Sequence, residues 1–77
     1  MRLTIIDSAR KRDIEDDDIR HAVDNAIRIE ERDDDLTMFV GPTRSGQLWE
    51  IGVTEARDFE GLIAVHAMPA RPKFVGR

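Results

Sequence analysis

The sequence predicts an α+β fold: an antiparallel β-meander of three to four strands with one main amphipathic helix packed on one face. Three observations lead there. Apolar residues recur at helical spacing between about residues 14 and 27, and they alternate with a period of two through much of the second half. Short clusters of turn-forming residues separate the alternating stretches. No linker, repeat or low-complexity tract divides the 77 residues, so 1–77 is read as one small domain.

The helix is expected from Ile14 to Ile27. Ile19, Ala22, Val23, Ala26 and Ile27 fall at i, i+3, i+4, i+7 and i+8 and make one stripe. Asp13 is the expected N-cap, and Glu15 to Asp18 place carboxylates where the helix dipole favours them. That acidic run reads either as a solvated helix start or as a surface for a basic partner. Beside the stripe, His21 reads as a boundary residue.

Beyond the helix, IRIEE (27–31) is a weaker strand candidate, and ERDDD turns the chain. LTMFV (36–40) is a strand that ends at Gly41 and Pro42, and GPTRSG is a hairpin loop. QLWEIGVT (47–54) alternates and puts Trp49, Ile51 and Val53 on one face, so Trp49 reads as a core anchor rather than a stacking platform. EARDFEG turns again before LIAVHA (62–67), and Met68-Pro69 stops that strand because proline cannot donate to a ladder. RLTII adds a further strand candidate, and DSARKR a turn or helical piece. Met38, Val40, Trp49, Ile51, Val53, Ile63 and Val65 are expected to line the helix-facing side.

Charge is unevenly distributed. The net charge of −4 divides into +3 over residues 1–12, −8 over 13–35 and +1 over 36–77, with no acid from Gly61 onward. This balance argues against general nucleic-acid binding but allows one local phosphate-attracting patch where the basic ends meet. There is no cysteine, and His21 and His66 lack metal-ligand spacing, so no metal or cofactor is implied. No stretch approaches the ~20 apolar residues of a membrane helix, and MRLTIIDSARKR lacks a secretory core, so a cytoplasmic domain is expected. A core this small is often completed by a partner chain or a second copy, so a complex or a homodimer is expected.

The loop positions suggest a site. Centring EARDFEG on Asp58 pairs Val53 with Ile63, Ile51 with Val65, and Glu50 with His66 on the face turned away from Trp49. Centring GPTRSG puts Thr37 beside Glu50. A carboxylate beside an imidazole orients the ring for general acid or base work. Arg71 and Lys73 follow His66 closely and suit a phosphate, as does Arg44 at the hairpin tip. These are parts for metal-independent phosphoryl transfer on RNA: His66, Glu50 and Arg71 at the chemistry, Lys73 and Arg44 on phosphate. The same Glu–His pair also reads as an ordinary cross-strand contact, and RPKFVGR as a solvated terminus carrying Phe74.

Three segments, SARKRDIEDDDIRHAV, LTMFVGPTRSGQLWEIGV and LIAVHAMPARPKF, resemble in order a small actinobacterial-type group related to BrnT-like toxins, within the RelE-like ribonucleases of type II toxin–antitoxin systems. The resemblance implies a compact α+β toxin fold and RNA cleavage. It also implies neutralisation by a cognate antitoxin, often a ribbon-helix-helix protein. Arg10, Lys11, His66, Arg71 and Lys73 lie in the matching segments, which adds Arg10 and Lys11 to the phosphate-binding candidates. Two departures, Met68 in place of an arginine and the near absence of a basic C-terminal helix, favour the alternative: a non-catalytic interaction module.

Overall fold

Alternation in the second half and the helical stripe in the first both become regular structure in the computed structural model, which describes residues 2–32, 35–58 and 60–71. The strands are β1 (Leu3–Ile5), β2 (Arg28–Glu31), β3 (Leu36–Pro42), β4 (Leu48–Glu55) and β5 (Leu62–Pro69). A 3-10 turn (Asp7–Arg10) and the helix α1 (Asp16–Asp24) lie between β1 and β2. The α+β class holds, but the sheet has five strands and is mixed rather than purely antiparallel, with order β1-β5-β4-β3-β2. β2 to β5 form the meander. β1 pairs parallel with β5, Leu3 opposite Leu62 and Ile5 opposite Ala64. The 3-10 turn and α1 make the long connection that returns the chain to the opposite edge. No described helix is long and apolar enough to cross a membrane.

α1 is shorter than the stripe suggests. Its N-cap is Glu15, while Asp13 sits at φ 56 in the left-handed region and does not cap the helix. Ile19, Ala22 and Val23 are buried, but Ile27 lies past the helix end and is 66% exposed. Ile14, just before the helix, joins the core instead. The helix packs on β3 and β4 at close range. A Cβ on Gly41 would come within 2.0 Å of the Ala22 carbonyl oxygen, so only glycine lets the two backbones meet there. His21 ties the helix to the strand as a boundary residue, its Nδ1 2.8 Å from the Pro42 carbonyl oxygen.

The core between helix and sheet gathers Leu3, Ile5, Ile19, Val23, Trp49, Ile51 and Val53, among others. Ile19 and Ile51 are fully buried, each contributing on the order of 1.5–3 kcal/mol of apolar transfer free energy. Trp49 is a core residue, and its buried indole N–H has no acceptor among the described residues.

Two register differences correct the expected core. The β3–β4 hairpin closes through Thr43 N to Gln47 O (2.8 Å) and Gly46 N to Thr43 O (2.9 Å), so its turn lies further along the loop than its midpoint. Val40, not Thr37, therefore stands opposite Glu50. An odd displacement of register exchanges the two faces of a strand. Met38 and Val40 accordingly leave the helix side and form a second small cluster with Leu36 and Ala70, while Phe39 packs on the main core. In β5 an extra residue, Val65, bulges between the Gly52–His66 and Val53–Ala64 pairs. Ala64 and Ala67 thus enter the core, and Ile63 and Val65 stay half-buried.

Candidate functional site

Glu50 sits in the middle of β4 on the face away from α1 and is fully buried there. His66 was expected directly opposite it. The bulge and the β4–β5 turn move the register by two positions, so Met68 is the direct partner and His66 faces Gly52. An even displacement preserves the face, and the two side chains remain diagonal neighbours. His66 Nε2 lies 3.6 Å from Glu50 Oε1, beyond hydrogen-bond distance. Gly52 leaves room for the imidazole. A Cβ on Gly52 would lie 3.1 Å from the His66 Cβ. A lone glycine inside an alternating strand is the sequence signal that marks such a close approach.

Past Pro69 the chain stays beside β4, with Ala70 N donating to Leu48 O at 3.0 Å. This brings Arg71 over Glu50. Arg71 Nη2 donates to Oε1 at 2.7 Å, Nε to Oε2 at 3.1 Å, and the Arg71 backbone N–H to Oε2 at 3.2 Å. The fork geometry matches both carboxylate oxygens. Burial pushes the Glu50 carboxyl pKa up, but the Arg71 hydrogen bonds and charge outweigh it, with a lesser contribution from His66. The group is therefore held below its ordinary value. The side chains of His66 and Arg71 are about two-fifths exposed. The result is a half-open imidazole and guanidinium standing on one buried, ionised carboxylate.

Thr37 does not join this row. Arg10 and Arg44 lie elsewhere, at the N-terminal end of α1. Arg10 bridges Asp7 (2.8 Å) and Asp16 (2.8 Å). Arg44 reaches Asp18 (2.9 Å), Glu15 and, more distantly, Asp17. Hydrogen bonds from Arg10 and Arg44 hold the carboxyls of Asp16 and Asp18, respectively, below their usual range. Much of the acidic helix start is thus paired within the chain. Lys11 is exposed at the end of the 3-10 turn. Lys73 and Phe74 fall outside the described residues.

Among the described residues, no three His, Asp or Glu side chains are grouped so as to hold a metal ion. A groove of about 310 Å3, floored by Phe39, Val53 and Leu62 and rimmed by Glu31, Asp35 and Glu55, is lined by none of the candidate site residues. The arrangement at Glu50 can do one kind of chemistry: orient an imidazole for proton exchange beside a fixed positive charge. Comparison with family models, with curated proteins and with solved structures gave no match.

Proposed function

We propose that the chain is an RNA-cleaving domain of the toxin type, in which His66 exchanges a proton with the substrate and Arg71 stabilises charge on the phosphate. One observation carries this reading: Glu50, His66 and Arg71 converge on the sheet face that α1 leaves uncovered, with the imidazole and guanidinium both accessible. The ribose 2′-oxygen attacks the adjacent phosphorus and loses its proton, and the P–O5′ bond breaks as the leaving oxygen gains one. The products are a 2′,3′-cyclic phosphate and a 5′-hydroxyl. His66 serves as base or acid through Nδ1, since Nε2 faces Glu50. Glu50 is a positioning residue, and the Arg71 guanidinium balances the charge that builds on the non-bridging oxygens. A neutralising antitoxin, of the ribbon-helix-helix kind the sequence resemblance implies, blocks the reaction by covering this face.

A second reading has its own support. Arg10 and Arg44 are engaged by carboxylates at the helix start, away from His66, which favours a non-catalytic interaction module. Incubating the purified chain with single-stranded RNA and assaying cyclic phosphate ends separates the two. Cleavage by wild type that falls about a hundredfold or more in His66→Ala supports the enzyme. Absence of cyclic ends, together with equal growth of bacteria expressing wild type, His66→Ala and Arg71→Ala, supports the module.

A further inference from the structure

β2 is one edge of the sheet and carries the exposed large apolar side chain Ile29, at 59%, with Ile27, at 66%, immediately before it. Exposed edges of this kind are templates for pairing with another chain. Ile29 stands opposite Phe39, so it lies on the α1 side of the sheet, beyond the area that the helix covers. We propose that β2 is a homodimerisation edge. Two copies pair antiparallel about a two-fold axis through Ile29, perpendicular to the sheet, and join their two five-stranded sheets into one.

The register follows from three constraints. First, Arg32 N donates to Leu36 O at 2.7 Å, and alternation along β2 then turns the backbone groups of Arg28 and Glu30 toward β3. Ile29 and Glu31 present theirs outward, where a second strand would take them. Second, a two-fold axis perpendicular to the sheet keeps like faces together, so a residue can oppose only one of the same parity. Third, charge selects among the registers that remain. Centring on Ile29 sets Ile29 against Ile29 of the other copy and each Arg28 against a Glu30 in a closely spaced pair. Moving the centre by one residue sets Arg28 on Arg28 or Glu30 on Glu30. Arg28 and Glu30 already pair within the chain, Nε to Oε2 at 3.2 Å, so both side chains share one face of this edge strand. The strand is four residues long, so association is modest and concentration-dependent. The dimer does not depend on the RNA chemistry, because the edge lies on neither His66 nor Arg71.

Sedimentation equilibrium of the full chain tests this. Wild type is expected to show a monomer–dimer equilibrium that Ile29→Glu weakens about tenfold or more. Arg28→Glu and Glu30→Arg each set two like-charge pairs across the edge and weaken association alone. An equimolar mixture of these two variants restores it, because every cross-edge pair becomes opposite in sign. Circular dichroism confirms that each variant is folded. A wild type that stays monomeric up to about millimolar concentration overturns the proposal. So does a dimer indifferent to Ile29→Glu, and so does a mixture that associates no better than its components.

Discussion

Replacing Glu50 by glutamine removes one charge and leaves the shape. The carboxylate takes three N–H donors from Arg71, two on Oε2 and one on Oε1. An amide offers a single acceptor oxygen, so its NH2 must face either the Nη2 donor or the Nε and backbone donors. At least one charge-assisted bond of roughly 1.5–3 kcal/mol is lost. Against this, the amide escapes the cost of burying a charge at a fully buried position, and the exposed Arg71 can turn to water. The expected net loss at pH 7 is about 1–2 kcal/mol, sizeable beside the roughly 4–12 kcal/mol expected for a domain of this length. The loss depends on pH in a defined direction. Glu50 is held below its ordinary value of 4.5, so its contribution is complete above that value and disappears as pH falls through the lower folded value. Urea unfolding followed by fluorescence of the single, buried Trp49 measures both features. The deficit should narrow on acidification. Arg71→Ala should cost more than Glu50→Gln at pH 7, because it leaves the buried carboxylate with little compensation. A deficit that is equal at pH 7 and at pH 3, or an Arg71→Ala variant as stable as wild type, would refute the reasoning.

Two further outcomes rest on other parts of the fold. Gly41→Ala drives a methyl into the backbone at Ala22 of α1 and at Ala26 just past its end, so it should destabilise by about 3 kcal/mol in the same urea assay. Arg44→Ala removes the partner of Asp18 and Glu15 at a solvent-exposed site. Its unfolding midpoint should fall less than that of Glu50→Gln, and the difference from wild type should vanish in molar salt.

Period and turn chemistry by themselves determined much of this protein. The stripe of Ile19, Ala22 and Val23 marked the helix, and the alternation of Trp49, Ile51 and Val53 marked the core face of β4. Even the shared face of Glu50 and His66 was legible, since the true register differs from the expected one by an even step. Tertiary structure decided the rest. The offset turn at Thr43–Gln47 sent Met38 and Val40 to the far side, and the bulge at Val65 chose Ala64 and Ala67 over Ile63 and Val65 for the core. Side-chain alternation is a local property, whereas parity between strands is set by one turn residue more or less, which no period records. Parallel pairing of β1 with β5 joins segments nearly a whole chain apart and leaves no local trace. The arginines make the same point. Their composition advertised a phosphate site, but long flexible side chains go to the nearest carboxylate in space, which for Arg10 and Arg44 is the start of α1 and for Arg71 is buried Glu50.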